Sequence, residues 1–95
     1  MKKYLVIVLT LIMSILSFAF DGYVVRVSDG DSFIINSQGK KIRVRMYGID
    51  APELKQKHGE ESKKYLENLI LGKKVKLKVL YEDRYKRKIA RVYYG

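Results

Sequence analysis

Hydrophobic and polar positions alternate along much of the chain, with the period of two residues that is typical of half-buried β-strands. In Lys74–Leu80 the alternation is strict, because Val75, Leu77 and Val79 are separated by lysines. Similar alternation, or a short β-branched run, predicts four more strands, at Tyr23–Val27, Ser32–Asn36, Lys41–Ile49 and Lys88–Tyr94. Short polar turns containing glycine separate the first three strands, which favours an antiparallel meander.

The period changes to that of a helix between the third and fourth strands. Gly59–Leu71 is predicted to be helical, and Gly72 is a suitable stop. We expect the apolar residues at helical spacing to form its buried face: Tyr65, Leu66, Leu69 and Ile70. Three strands, a helix and two strands are the layout of a five-stranded OB-fold barrel, mainly β within the α+β class. An open α+β meander is the alternative.

The N-terminal stretch has a different pattern. Two lysines are followed by Tyr4–Phe20, which is uncharged and mostly aliphatic, and Ser17 and Ala19 are small residues that suit a signal peptidase. We therefore predict a helical signal peptide over Met1–Ala19 and a secreted or periplasmic domain over 20–95. An uncleaved membrane anchor is the alternative, although a spanning helix needs about 20 apolar residues.

The charge balance indicates a polyanionic partner. The chain of 95 residues has a formal net charge of +10, no cysteine and one histidine, which excludes a disulfide scaffold and a thiolate zinc site. Nucleic acid, anionic lipid and cell wall all fit such a charge. Tyrosines among the cations favour nucleic acid, because bases stack on aromatic rings. The lysines of 73–78 either line a nucleic-acid groove or form a solvated strand face.

Acidic residues and arginines occur together at the predicted strand ends. Asp31 lies in the first turn, Arg45 on the third strand, and Asp50 and Glu53 just beyond it. Carboxylate oxygens are preferred ligands of Ca²⁺ and Mg²⁺. Arginines such as Arg45 and Arg87 hold phosphate oxygens, and a further carboxylate is able to activate water. The alternative is that these acidic residues only form turns.

Three motifs in order resemble the thermonuclease, or staphylococcal-nuclease-like, family. They are Val27–Ser32, Arg45–Glu53 and Asp83–Arg87. The resemblance extends from about Tyr23 to Tyr94, and it implies an OB-fold nuclease domain.

The resemblance also implies a role for individual residues. Asp31 and Asp50 match the calcium-binding aspartates, and Ala51 matches the position whose backbone carbonyl completes the protein ligands. Arg45 and Arg87 match the arginines that hold the phosphate in the transition state.

The remaining implied roles concern the base and the substrate. Glu53 matches the glutamate usually drawn as the general base. Tyr85 matches an aromatic residue of the nucleotide pocket, and we expect its neighbour Arg84 to bind substrate as well. The implied reaction is calcium-dependent hydrolysis of single-stranded or unwound DNA and RNA, which leaves 3′-phosphates. We expect a monomer without a stable protein partner.

The chain departs from the family pattern at three points. Ser32 replaces the usual threonine but keeps the hydroxyl, and Lys86 replaces a glycine in a turn where positive φ is costly for lysine. Family members also continue into two further helices after the fifth strand. We therefore expect the domain over 20–95 to lack those helices. A non-catalytic nucleic-acid-binding module and an inactive truncated fragment are the alternatives to an active nuclease.

Overall fold

Five strands and one helix make up the part of the chain that the computed structural model describes, residues 19–94. The elements are β1 (Ala19–Asp29), β2 (Ser32–Ser37), β3 (Lys40–Met46), α1 (Gly59–Ile70), β4 (Lys74–Glu82) and β5 (Lys88–Tyr93). The predicted signal peptide, except for Ala19 at the start of β1, lies outside these residues and stays a prediction. Within the described range, no helix is long and apolar enough to cross a membrane.

The strands close into a barrel in the order β1-β2-β3-β5-β4. The first three form the predicted antiparallel meander, and β4 pairs with both β1 and β5 in antiparallel fashion. A short parallel pairing of β3 with β5 completes the ring. The barrel and the position of its helix confirm the layout predicted from the element order, and the open meander is wrong. Shifts in register beside Val25 and Leu80 mark β-bulges, which let the strands bend around the barrel.

The alternating apolar side chains fill the barrel. Val75, Leu77 and Val79 are buried, as the alternation in β4 predicts, while the lysines between them are exposed. The rest of the core cluster consists of Val24, Val27, Phe33, Ile35, Val44, Leu66, Ile70 and Ala90. Burying such a side chain stabilises the fold by about 1.5–3 kcal/mol. The core therefore depends mainly on β-branched and aliphatic residues of the sheet, with α1 contributing at one end.

Helix α1 buries a narrower face than the sequence predicts. Leu66 and Ile70, one turn apart, are in the core, and Leu69 packs against it. Tyr65 is 68% exposed, so its predicted burial is wrong. Among the other elements α1 contacts mainly β1, and a single strand covers only one stripe of a helix.

The end of β3 differs from the prediction and is important for the site. The strand stops at Met46 rather than Ile49, because Gly48 has φ of 77° and turns the chain away from the sheet. Ile49 is exposed as a result. The segment from Tyr47 to His58 is therefore a loop, and it carries the acidic residues that follow β3.

Candidate functional site

The β1–β2 turn places a buried carboxylate at one end of the barrel. Asp31 is 5% exposed, and both of its carboxylate oxygens accept hydrogen bonds. The hydroxyl of Ser32 donates to Oδ1 at 3.0 Å, and the backbone N–H of Ala51 donates to Oδ2 at 3.2 Å. The N–H of Asp31 itself donates to Oδ1 of Asp29 at 3.1 Å. These bonds join the β1–β2 turn to the loop after β3.

Arg45 lies between two of the predicted site carboxylates. Its Nη2 is 3.6 Å from Oδ2 of Asp31 and 3.8 Å from Oδ1 of Asp50. Asp50 is otherwise in water, with a side chain that is 98% exposed. We refer to Asp31, Arg45, Asp50 and Ala51 as the carboxylate cluster. Its members come from the β1–β2 turn, β3 and the following loop, and only the closed barrel brings them together.

The two aspartates of the β1–β2 turn differ in acidity. Burial raises the pKa of Asp29, and a side-chain hydrogen bond with the carboxyl of Asp31 and the negative charge there raise it further, against the lowering effect of the N–H of Asp31. Burial also tends to raise the pKa of Asp31. That tendency is outweighed by the hydrogen bonds with Asp29, Ala51 and Ser32 and by the charge of Arg45, so the pKa of Asp31 is lowered overall. The lowered pKa of Asp31 favours its ionised form, which is the form that a cation ligand needs.

Two glycines allow the loop after β3 to approach the rest of the site. A Cβ on Gly59 would lie 2.1 Å from the backbone oxygen of Glu53, a distance that no side chain tolerates. A Cβ on Gly30 would lie 2.7 Å from the Cβ atoms of Ala51 and Ser62. These contacts fix the loop against the start of α1 and the β1–β2 turn. Sequence reasoning gave neither glycine this role, since close approach leaves no periodic signal.

Glu53 lies in the same hollow as Asp50. Its backbone N–H donates to Oε1 of Gln56 at 2.8 Å, and its side chain is exposed. The hollow has a volume of about 480 Å³ and is lined by Asp50, Ala51, Pro52, Glu53, Gln56 and Lys57. The structure thus places the predicted base beside the predicted cation ligands.

A second cluster occupies the β4–β5 turn. Oδ1 of Asp83 accepts hydrogen bonds from the N–H groups of Tyr85 and Arg87, at 2.9 and 3.0 Å, and Oδ2 accepts one from Nε of Arg87 at 2.9 Å. Desolvation tends to raise the pKa of Asp83, but the hydrogen bonds from Arg87 and Tyr85 outweigh it and lower that pKa. We call Asp83–Arg87 the arginine turn. Lys86 within it has φ of 64°, the positive value that the replaced glycine led us to expect.

The predicted substrate-binding residues lie on the arginine turn. The guanidinium carbons of Arg84 and Arg87 are 5.0 and 5.5 Å from the centre of the Tyr85 ring, within the range of cation–π contacts. Arg43 of β3 donates to the backbone oxygen of Tyr85 and so ties the turn to the barrel. Sequence reasoning assigned Arg43 no role of its own, although its place two residues before Arg45 puts both on one strand face.

The hydrogen bonds and ion pairs of the predicted site residues fall into two groups. Asp31, Arg45, Asp50 and Ala51 are together, with Glu53 beside them. Arg84, Tyr85 and Arg87 are held in the arginine turn, and among residues 19–94 no ion pair joins Arg87 to the carboxylate cluster.

The carboxylate cluster suits a hard cation by its chemistry. In the described part of the chain, no three His, Cys, Asp or Glu side chains form a group suited to a metal ion. Asp31 and Asp50 nevertheless converge on one positive charge, the guanidinium of Arg45. Two carboxylates, a backbone carbonyl and water are oxygen ligands of the kind that Ca²⁺ takes.

Comparison with known proteins decides the family. Residues 43–95, more than half of the chain, match the family model described as staphylococcal nuclease homologue. The chain belongs to the staphylococcal nuclease family. The matched residues include the carboxylate cluster, except for Asp31, and the whole arginine turn.

Individual relatives align over a larger part of the chain. An uncharacterized endonuclease of Escherichia coli O157:H7 is 38% identical over 94 residues, which are 98% of this chain and 61% of that protein. An uncharacterized endonuclease of Haemophilus influenzae is 47% identical over 75% of this chain and 40% of its own length. The thermonuclease of Staphylococcus hyicus is 35% identical, with coverages of 76% and 47%. The chain thus spans at most about three fifths of the length of these relatives.

Proposed function

We propose that this domain hydrolyses phosphodiester bonds in DNA and RNA with Ca²⁺ as its cofactor. The main support for this function is that the carboxylates of Asp31 and Asp50 converge on the guanidinium of Arg45. A site that holds carboxylates and a phosphate-binding arginine within 4 Å suits a cation and an anionic oxygen together. The endonuclease and thermonuclease names of the relatives support the same reaction class.

Three groups of this chain provide the oxygen ligands. Asp31 and Asp50 contribute carboxylates, and Ala51 contributes its backbone carbonyl. When bound, Ca²⁺ supplies positive charge that neutralises a phosphate oxygen and lowers the pKa of a nearby water. The lowered pKa of Asp31 keeps that ligand ionised at neutral pH.

The other residues position and neutralise the phosphate. Glu53 accepts the proton of the attacking water, whose oxygen bonds to phosphorus as the bond to the 5′ oxygen breaks. The products are a 3′-phosphate and a 5′-hydroxyl, the latter protonated from solvent. Arg45 and Arg87 hold the phosphate oxygens. Within residues 19–94 the Arg87 side chain pairs with Asp83 through a single contact, from Nε to Oδ2, and this leaves the terminal nitrogens of Arg87 for the phosphate.

The exposed ring of Tyr85 and the N-terminal stretch bear on the substrate and the location of the domain. Single-stranded or unwound substrate suits the exposed Tyr85, because an unpaired base is able to stack on it. The proposed N-terminal signal peptide, Met1–Ala19, directs the domain to the periplasm or the medium. Within the proposal the domain acts as a monomer.

Cleavage of a labelled single strand by the full chain tests the proposal. Calcium is required and a chelator abolishes the reaction, and Glu53→Gln lowers kcat by about 100-fold, the usual contribution of a positioned base. Glu60→Gln is the matched control, since Glu60 is an exposed glutamate of the first turn of α1, and it keeps the wild-type rate. Unchanged cleavage in Glu53→Gln would refute the role of Glu53. Binding without any cleavage would favour the non-catalytic module.

A further inference from the structure

The outer surface of β4 and β5 carries cations and tyrosine side by side. The antiparallel register places Lys78 opposite Arg91 and Lys76 opposite Tyr93. All four are exposed. Their strand neighbours Leu77, Val79 and Ala90 point into the core, and the pleat therefore directs these four side chains to the outside of the barrel.

This surface is continuous with the carboxylate cluster through Tyr47. The backbone N–H of Tyr47 donates to the carbonyl of Ala90 at 2.8 Å, and its ring lies 5.8 Å from the guanidinium carbon of Arg91. Arg45 of the cluster is only two residues earlier on β3. We define the basic outer face as Tyr47, Lys76, Lys78, Arg91 and Tyr93.

The cations of the basic outer face are available to an external anion. Among the ion pairs of residues 19–94, none includes Lys76, Lys78 or Arg91. Asp21 of β1 is opposite Lys76 in the strand register, but its carboxylate is 3.4 Å from Nζ of Lys74. Like charges on adjacent positions of a sheet destabilise it. A bound polyanion reduces this repulsion between the cations of the face.

The tyrosines decide which polyanion fits. Tyr47 is 50% exposed and Tyr93 is 53% exposed, and each ring adjoins a cation of the same face. Alternating cations and aromatic rings suit a single nucleic-acid strand, whose phosphates and unpaired bases alternate in the same way. An anionic membrane favours apolar side chains that insert below the headgroups, and none of the aliphatic residues of β4 and β5 is exposed.

We propose that the basic outer face binds single-stranded nucleic acid and extends the carboxylate cluster along the barrel. The extension of the site rests on the proposed function, whereas the binding itself does not. Phosphates contact Lys76, Lys78 and Arg91, and bases stack on Tyr47 and Tyr93. The face lies outside the arginine turn and therefore adds to the contacts made by Tyr85.

The salt dependence of binding tests the charges. The probe is a labelled single strand of about 12 thymidines, within the site size of one OB-fold, bound to the full chain in a chelator so that no cleavage occurs. Lys76→Gln/Lys78→Gln reduces the slope of log affinity against log salt by about 1.4, because each lost phosphate contact removes about 0.7. Lys63→Gln/Lys64→Gln removes two charges from α1, outside the face, and keeps the wild-type slope.

A second variant tests the stacking. Tyr93→Leu lowers affinity about tenfold, the scale of one stacked base, without changing the salt slope. Equal slopes for the two lysine pairs, or wild-type affinity in Tyr93→Leu, would overturn the proposal. The proposal would also be overturned if Lys76→Gln/Lys78→Gln lost binding to phosphatidylserine vesicles but bound the oligonucleotide as the wild type does. All these binding measurements are made in a chelator and do not depend on catalysis. If the salt slopes are as expected but the chain cleaves no strand in calcium, the proposed function is refuted and the binding proposal stands.

Discussion

The carboxylate cluster and the arginine turn each depend on an aspartate at a strand end, but the two aspartates are held in different ways. Asp31 accepts a hydrogen bond from Ala51, 20 residues away in the sequence, and pairs with Arg45 on another strand. Asp83 binds Tyr85 and Arg87, two and four residues ahead. The cluster therefore exists only in the closed barrel, whereas the turn is organised by its own sequence.

The difference in exposure has a functional consequence. The side chain of Asp31 is 7% exposed and that of Asp83 is 18% exposed. Long-range contacts and burial fix Asp31, the proposed cation ligand, before any substrate arrives, and the proposed reaction would need such preorganisation. Arg43 ties the arginine turn to the barrel. The orientation of the arginine side chains in this turn therefore depends on fewer contacts. Mutations at the two sites are expected to have different effects.

The largest loss of stability and of calcium affinity is expected where the loop after β3 contacts the start of α1. Gly59→Ala places a methyl group against the backbone of Glu53, and overpacking of this kind costs about 3 kcal/mol. Both the free energy of unfolding and calcium affinity fall, because the loop that carries Asp50 and Glu53 is displaced. Asn68→Ala, at an exposed position of the same helix, is the control and changes stability by less than about 0.5 kcal/mol. Wild-type stability and calcium affinity in Gly59→Ala would show that the loop is not fixed by this contact.

The sequence predicted the barrel more completely than the loop, for a physical reason. Alternation in β4 and in Ile42, Val44 and Met46 of β3 reports directly on which side chains are buried. The end of β3 depends on the positive φ of Gly48, which hydrophobic periodicity does not show. The contact of Gly59 with Glu53 depends on tertiary structure alone. Similarly, Tyr65 has helical spacing but lies beyond the stripe that β1 covers.

A smaller effect is expected from Asp83, and it depends on pH. The pKa of Asp83 is lowered from 3.8 in the folded protein, so folding favours the ionised form. Its stabilisation is complete above the unfolded-state pKa and is lost as the pH falls through the folded-state value. Asp83→Asn therefore lowers Tm at neutral pH, and the wild type and the variant converge in acid. Thermal unfolding at several pH values measures this. A difference in Tm that is independent of pH would contradict it.

The smallest change in stability is expected at Lys86, where a substitution stabilises the domain instead of destabilising it. Its φ of 64° is left-handed, a conformation that costs a residue with a Cβ about 1 kcal/mol. Lys86→Gly relieves this strain and stabilises the domain by up to that amount. Lys86→Ala loses the same charge but keeps the Cβ, so it gives no comparable gain in denaturant unfolding. Equal stability of the two variants would show that the turn is not strained.

The site residues were predictable to different degrees. Residues such as Asp31, Arg45 and Asp50 carry chemistry that is visible in the sequence, and their proximity followed from the strand order. The hydrogen bonds of Asp83 are also local, and an aspartate two residues before an available N–H is a recognisable turn signal. The hydrogen bond from Arg43 to the arginine turn and the pairing of the Arg87 side chain with Asp83 required the three-dimensional structure. Roles for these residues in catalysis remain predictions.

Calcium binding to the full chain, measured by titration calorimetry, tests the central claim most directly. The claim is that the carboxylate cluster is the cation site and that the arginine turn is not. Asp50→Asn is expected to weaken calcium binding by about tenfold or more, since it removes a charged ligand. The 98% exposure of Asp50 means that the fold itself is spared. Asp83→Asn keeps the wild-type Kd for calcium. Wild-type affinity in Asp50→Asn, or an equal loss in both variants, would contradict the account.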